Sequence, residues 1–167
     1  MTTHTTRLPH RGMPADGLTQ ALHAEFAARW PGHAPGLDAI LHYALVPAGK
    51  LLRPQLVALS ALAVGGTLER VLPAAVGFKY AHVGSMVHDD IIDTDAVRRG
   101  RPATHTQFGT SRAIIAGNAL YFAWFSALAE CGARGAAPHQ VARSLAIQAE
   151  AAQEACRGGS RGDRHVR

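Results

Sequence analysis

Aromatic side chains are scarce in this chain of 167 residues: Phe, Trp and Tyr together make up 6%, although 47% of the residues are hydrophobic. Alanine, leucine and valine supply most of the apolar surface, a bias that favours helices packed closely through small side chains. No segment shows the alternation typical of a half-buried strand, and no internal repeat is present. The sequence therefore predicts an all-α fold, and its length fits one domain.

Cysteine is equally rare. Cys131 and Cys156 fit neither a C-x-x-C motif nor a disulfide framework, and the first residues lack the basic-then-apolar pattern of a secretory signal. We therefore expect a cytoplasmic protein. The most apolar stretch, residues 113–129, contains Asn118 and is shorter than the roughly 20 residues that cross a bilayer. We expect a buried core helix there and no membrane span.

Excess positive charge is missing from the central part of the chain. Of the net charge of +5, residues 1–15 supply +2 and residues 156–167 supply +3, which leaves residues 16–155 neutral. A neutral domain without a basic stripe and interleaved aromatic residues excludes nucleic-acid binding. We expect residues 1–15 to form a flexible leader, residues 16–155 the helical domain, and residues 156–167, rich in Gly and Arg, a disordered basic tail.

The predicted helices follow from apolar spacing and from Pro and Gly punctuation. They cover residues 16–30, 37–45, 50–64, 73–93, 111–131 and 138–155. A turn is expected over residues 68–72 and a polar loop over residues 94–109. In the first helix, Leu18, Leu22, Phe26 and Trp30 form an apolar stripe.

Three carboxylates, Asp89, Asp90 and Asp93, lie within five residues at the end of the fourth helix. Asp89 and Asp93 are one turn apart on the same face. Their mutual repulsion and the helix macrodipole both disfavour this cluster, and such a local conflict indicates function. Mg²⁺ would relieve both costs, because it prefers carboxylate oxygens and shares substrate phosphates. A solvated helix end is the alternative.

Cations lie close to these carboxylates in the sequence. Arg98, Arg99 and Arg101 follow in the polar loop, and arginine binds phosphate oxygens with a planar fork. Lys50 and Arg53 are three residues apart on the predicted first turn of another helix, where a helix N-terminus also attracts anions. Each group alone is compatible with exposed, solvated charge. Together with the acidic cluster, they indicate a metal and diphosphate site.

Three segments carry a family resemblance. Residues 49–54 are GKLLRP, residues 82–105 are HVGSMVHDDIIDTDAVRRGRPATH, and residues 116–120 are AGNAL. They resemble, in order, the Gly-Lys-x-x-Arg-Pro segment, the first aspartate-rich motif with its downstream Arg-Arg-Gly-x-Pro, and the Ala-Gly-Asp-x-Leu helix of the trans-isoprenyl diphosphate synthases, the polyprenyl synthetase family. The resemblance covers about residues 37–155. It implies an antiparallel helix bundle like the first half of the isoprenoid synthase fold.

The resemblance also implies an activity. A prenyltransferase of this family condenses an allylic prenyl diphosphate with isopentenyl diphosphate and depends on Mg²⁺. By position, the catalytic carboxylates are Asp89, Asp90 and Asp93; Asp89 and Asp93 would hold the metal, and Asp90 would support them. Arg98 would contact the allylic diphosphate. The diphosphate of isopentenyl diphosphate would be held by Lys50, Arg53, His82 and Arg99. Taken alone, a histidine such as His82 is more often a hydrogen-bonded structural residue than a ligand.

Product length in this family depends on residues just before the aspartates. Gly84 and Ser85 occupy those positions here, and both are small. The resemblance implies that bulky aromatic residues there stop elongation early, so small residues imply a deep tunnel. We expect geranylgeranyl or longer products, unless Phe78 or a neighbouring helix closes the tunnel.

The chain departs from the family pattern at three points. Lys79 stands where the family usually has glutamate, Asn118 replaces an aspartate, and no second aspartate-rich motif follows Asp95. We therefore expect a truncated synthase that lacks half of its metal site. The Arg- and Gly-rich residues 157–167 are compatible with a frameshift, a hypothesis that DNA sequence beyond the stop codon would test.

Two alternatives remain beside the enzyme. The chain could be a non-catalytic subunit that binds diphosphate or pairs with a complete synthase, so that the expected assembly is a homodimer or a heteromer. A class I terpene cyclase also uses an aspartate-rich helix. Such a cyclase needs no second diphosphate site, and the cations at Lys50, Arg53, Arg98 and Arg99 argue against it.

Overall fold

The structure, a computed structural model, describes residues 15–30 and 35–162. These residues form seven helices and one short hairpin, which confirms the predicted all-α class. In chain order the elements are α1 (Ala15–Arg29), α2 (Leu37–Leu45), α3 (Leu52–Ala63), α4 (Leu68–Ile92), β1 (Val97–Arg98), β2 (Arg101–Pro102), α5 (Thr104–Phe108), α6 (Thr110–Glu130) and α7 (Pro138–Gly162). Of the predicted leader only Ala15 is described, and residues 163–167 of the predicted tail also lie outside the described residues.

Helix α4 is the centre of the bundle, and it packs most extensively against α6 and next against α3. The α4–α6 contact is close because glycines face it. A Cβ built on Gly77 would lie 2.9 Å from Cβ of Ala127, and one on Gly84 would lie 3.0 Å from the carbonyl oxygen of Gly117. The abundance of small residues in the sequence therefore has a direct structural use.

Helix α1 packs its apolar stripe against this core. Leu18, Leu22 and Phe26 are buried, and Trp30 is partly buried. The indole nitrogen of Trp30 donates a hydrogen bond of 3.1 Å to the Tyr80 hydroxyl on α4. The predicted stripe is confirmed, and it attaches α1 to the middle of α4.

Three predicted boundaries were wrong. No turn separates residues 68–72 from the long helix: α4 begins at Leu68 and continues through Pro73, which is fully buried. Packing of this proline in the core outweighs the backbone hydrogen bond that it cannot donate. Helix α3 begins at Leu52 and not at Lys50, because Leu51 adopts the left-handed conformation with φ 50°. Helix α7 extends to Gly162, beyond the expected end at about residue 155.

The predicted loop over residues 94–109 contains ordered structure. Strands β1 and β2 pair antiparallel, Val97 with Pro102 and Arg98 with Arg101. The two connecting residues, Arg99 and Gly100, have φ values of 53° and 76°, as a two-residue hairpin turn of the primed type requires. Strands of two residues are too short to produce an alternating pattern, so the sequence could not reveal them.

Helix α6 is 21 residues long, and by length and composition alone it is the one described helix that could cross a membrane. Helix α6 is longer than residues 113–129, the apolar stretch that we expected to be too short to span a membrane. One third of its most apolar window is buried inside the protein, and its buried residues are Ala113, Ala116, Gly117, Leu120, Trp124 and Ala127. Its extensive packing against α4 is the behaviour expected of a core helix.

Candidate active site

The aspartate-rich end of α4 separates its three carboxylates into two environments. Asp89 and Asp93 are exposed. Asp90 is only 1% exposed, and its Oδ1 accepts a hydrogen bond of 2.5 Å from Nε of Arg98. This hydrogen bond raises the pKa of Arg98. Asp90 therefore joins α4 to the hairpin, while Asp89 and Asp93 face solvent.

The ligands available at the C-terminal end of α4 fit a metal ion shared with a substrate better than a metal ion held by protein side chains alone. Within residues 15–30 and 35–162, no group of three or more His, Cys, Asp or Glu side chains is placed to hold a metal. Mg²⁺ commonly binds one or two carboxylates and completes its shell with water and substrate phosphates. Asp89 and Asp93 can supply those two carboxylates, and the remaining ligands would come from a diphosphate.

A cavity of about 320 Å³ lies between α4 and the segment that leads into α3. Its charged or titratable lining residues come from three separate parts of the chain, and they are Lys50, Arg53, Lys79, His82 and Arg99. Four of them are the residues that the sequence assigned to one diphosphate. The fifth, Lys79, was noted as a departure from the family pattern and was not assigned to the site. Among the described residues, no carboxylate lines this cavity.

Electrostatics in the cavity favour an anion. Burial, together with the charges of Arg53, Lys79, Arg99 and Arg98, lowers the pKa of His82 to about 4. Burial likewise lowers the pKa of Lys79 to about 8, with contributions from Arg99 and Arg53. The neighbouring cations thus repel one another across the cavity. A bound polyanion would remove this repulsion.

The third loop arginine, Arg101, has a structural position. Its guanidinium lies 4.3 Å from the centroid of the Tyr43 ring and donates a hydrogen bond of 2.5 Å to the Tyr43 carbonyl oxygen. The Tyr43 hydroxyl in turn donates to the carbonyl oxygen of Pro102 at 2.7 Å. These contacts fasten the hairpin to α2. They also border a smaller cavity of about 50 Å³, which His82, Met86, Asp90 and Arg98 line from the other side.

The two small residues before the aspartates have different surroundings. Gly84 faces the backbone of α6, so close helix packing accounts for its lack of a side chain. Ser85 is half-buried, and its hydroxyl donates a hydrogen bond of 2.9 Å to the carbonyl oxygen of His82. Ser85 is therefore the better position at which to test product length.

Two residues of this region were not predicted from the sequence to belong to the site. Lys79 carried a signal, because it lies on the same helical face as His82, three residues before it. Tyr43 carried none, since its contact with Arg101 joins residues that are far apart in the sequence. Asn118, the second departure from the family pattern, is exposed on α6.

Comparison with known proteins decides the family. A model of the polyprenyl synthetase family matches residues 34–160. The chain belongs to this family. The geranylgeranyl diphosphate synthase of Methanosarcina mazei is 39% identical over 116 residues, which are 70% of this chain and 35% of that protein. The geranylfarnesyl diphosphate synthase of Aeropyrum pernix is 42% identical over 113 residues, 66% of this chain and 35% of that protein.

Solved structures agree with this family assignment. The geranylgeranyl pyrophosphate synthetase from Geoglobus acetivorans superposes with a TM-score of 0.78 at 32% identity, over 86% of this chain and 46% of that one. The resemblance inferred from the motifs is thus confirmed, together with the fold class. The chain spans about 35% of the length of the curated relatives that it matches.

Proposed function

We propose that this chain carries the site of a prenyltransferase that condenses an allylic prenyl diphosphate with isopentenyl diphosphate. The observation that carries the proposal is the cavity that Lys50, Arg53, His82 and Arg99 line together, with no carboxylate from the described residues. The exposed carboxylates of Asp89 and Asp93 lie at the C-terminal end of the same helix that supplies His82. A cation-lined cavity and an acidic helix end suit two diphosphates that bind in different ways.

The diphosphate of isopentenyl diphosphate would occupy the cation-lined cavity. Arg53 and Arg99 can each offer a bidentate fork to phosphate oxygens, and Lys50 adds a point charge. Neutral His82 can donate one further hydrogen bond. These contacts would orient the substrate so that its double bond points away from the cations.

Asp89 and Asp93 would hold Mg²⁺ together with the diphosphate of the allylic substrate. When bound, the metal would stabilise the negative charge that develops on the departing diphosphate. Asp90 would support this arrangement indirectly, because it positions Arg98. The Arg98 side chain remains 34% exposed in its ion pair with Asp90, so it could also contact the allylic diphosphate.

The reaction would then follow from how these residues hold the two substrates. The allylic carbon–oxygen bond breaks, and the resulting carbocation is attacked by the double bond of isopentenyl diphosphate, which forms a carbon–carbon bond. Loss of a proton, with a diphosphate oxygen as acceptor, restores a double bond. The protein's part is orientation and charge stabilisation. We propose geranylgeranyl or longer products, since Ser85 is small.

An elongation assay tests the proposal. Purified chain is incubated with Mg²⁺, isopentenyl diphosphate and allylic primers of several lengths, and products are separated by chain length. We expect elongated products that are lost in D89N and D93N and kept in D38N, which removes an exposed aspartate on α2. No product with any primer, or undiminished product in D89N, would overturn the proposal for this chain.

A second candidate is a non-catalytic subunit that pairs with a complete synthase or with another copy of itself. Exposed apolar side chains favour it: Phe122 is 71% exposed on α6, and Ile115 and Ile147 are each 56% exposed. Sedimentation of the chain alone, and after mixing with a complete synthase, distinguishes homodimer from heteromer. A chain that remains monomeric both alone and after mixing with a complete synthase contradicts this candidate.

We also propose a cytoplasmic location. Both cysteines are free in the described part of the chain, Cys131 buried and Cys156 exposed. An exposed thiol that stays reduced is the ordinary state in a reducing compartment.

A further inference from the structure

Lys79 is a buried residue of the cation-lined cavity. It is only 5% exposed, and it lines the cavity one helical turn before His82. Among the described residues, its amine takes part in none of the side-chain hydrogen bonds or ion pairs. Buried lysines are normally paired, since removing an ammonium group from water is costly. Within the part of the chain that the structure describes, this lysine therefore lacks the partner that its position requires.

The groups that face Lys79 cannot provide that partner. Arg53 faces it from α3, Lys50 from the segment before α3, Arg99 from the hairpin turn, and His82 from α4 itself. All four are basic. Burial, together with the charges of Arg99 and Arg53, lowers the pKa of Lys79 to about 8. A lysine whose charged form is disfavoured by its own cavity indicates a ligand of opposite charge.

We infer that Lys79 is a direct ligand of the diphosphate in this cavity, and that its neutral amine takes up a proton and becomes an ammonium when the anion binds. The inference rests on the proposed function for the identity of the anion. It extends that function, because the family pattern usually has glutamate at this position. Replacing a carboxylate by an ammonium raises the charge of the cavity by two. We therefore expect this chain to hold a diphosphate more tightly than a glutamate variant of itself.

The sign of the pH dependence follows from the anion's effect on Lys79. A bound diphosphate stabilises the charged amine, so it raises the pKa of Lys79 above its value of about 8 in the free protein. The affinity for diphosphate is then greatest at pH values below the pKa of Lys79 in the free protein, and it falls as the pH rises above that pKa. Proton uptake on binding should be measurable near pH 8, where the free amine is about half protonated.

Calorimetric titration of the whole chain with inorganic diphosphate tests the inference. Magnesium is removed by a chelator, so that binding at Asp89 and Asp93 does not contribute. We expect K79Q to bind diphosphate about tenfold or more weakly, as loss of a charge-assisted contact implies, and K79E to bind more weakly still. R143Q removes an exposed cation from α7 and should bind like the wild type. Equal affinity of K79Q and the wild type would overturn the inference, and so would absence of binding by the wild type.

Proton uptake provides the second measurement. Titrations at pH 8 in two buffers of different ionisation enthalpy give the number of protons bound. K79R keeps a permanent positive charge, so we expect it to bind diphosphate with near-wild-type affinity and to take up fewer protons. Protons bound by His82 and by the ligand contribute equally to the titrations of K79R and of the wild type. Equal uptake in K79R and the wild type would contradict a role for Lys79. The elongation assay is independent: diphosphate binding without product refutes only the proposed activity.

Discussion

Three arginines of one short segment lie in three different environments. Arg98 is paired with buried Asp90, Arg99 lines the cation-lined cavity, and Arg101 stacks on Tyr43. The hairpin produces this division, because its turn directs neighbouring residues to different sides. In the sequence the three arginines form one basic group, whereas in the structure Arg99 is the one of the three that faces other cations in the cavity.

Removal of Arg98 and removal of Arg99 should therefore have different effects on stability. R98Q leaves the Asp90 carboxylate buried without its partner, and we expect the free energy of unfolding to fall by about 1–3 kcal/mol. R99Q relieves repulsion on Lys79 and His82, and we expect unchanged or slightly higher stability. Urea unfolding followed by circular dichroism measures both variants. A similar loss in the two would contradict this division of roles.

Ser85 provides a residue-scale test of product length. S85F adds a ring next to the carbonyl of His82, where the wild-type hydroxyl makes a local hydrogen bond. We expect shorter products in the elongation assay, because the ring would shorten the space available to the growing chain. S85A serves as the control and should leave product length unchanged. Products of equal length from S85F and the wild type would place the tunnel floor elsewhere.

At the scale of elements, the contact between α4 and α6 organises the molecule. It brings Gly77 and Gly84 of α4 against Ala127 and Gly117 of α6. Close backbone approach lets α4 present its opposite side to α3, and the cation-lined cavity lies on that side. The packing of α4 against α6 thus determines where His82 and Lys79 can lie.

The tightness of this contact can be measured with two glycine variants. G77A would place a methyl group 2.9 Å from Cβ of Ala127, whereas a Cβ at Gly158 on α7 meets no atom within 4 Å. Alanine is favoured over glycine in both helices by about 1 kcal/mol, so the difference between the variants isolates the packing cost. We expect G77A to be less stable than G158A by about 1–3 kcal/mol. Equal unfolding free energies would show that the contact can relax.

At the scale of the whole molecule, an ion-pair network joins α1 to the end of α6 and the turn that follows it. Nη2 of Arg134 lies 2.7 Å from Oε1 of Glu25, and Nη2 of Arg29 lies 2.7 Å from Oε1 of Glu130. Burial acts to raise the pKa of Glu25, but hydrogen bonds from Arg134 and Arg29 outweigh it and lower the pKa. The network connects segments about one hundred residues apart in the sequence.

This network predicts a loss of stability in acid. A carboxyl group whose pKa is lowered in the folded state stabilises the fold at pH values above its usual pKa of 4.5. That contribution disappears as the pH falls through the lower folded value. We expect the urea midpoint of the wild type to drop more between pH 7 and pH 3 than that of E25Q. E150Q, which changes an exposed glutamate on α7, should follow the wild type, and a drop in E25Q as large as that of the wild type contradicts the assignment.

The sequence predicted those features that local spacing encodes. The apolar stripe of α1 and the shared face of Asp89 and Asp93 follow from helical periodicity. The boundaries of α2 follow from the Gly and Pro residues on either side of it. Spacing also sufficed for the family, because its motifs are contiguous. Local rules failed at residues 68–72, where burial of Pro73 overrides its tendency to end a helix, and at Leu51, whose left-handed backbone delays the start of α3.

The sequence by itself determined the all-α class, the family, and which charged residues were available for a diphosphate site. Only the tertiary structure decided their partners. It paired Asp90 with Arg98 and gathered Lys50, His82 and Arg99 around one cavity. It also placed Lys79 among them, with no counter-charge from the described residues that line the cavity. The physical reason is that periodicity places a residue on a face of its own helix, whereas charge pairing depends on distances between segments that only packing brings together.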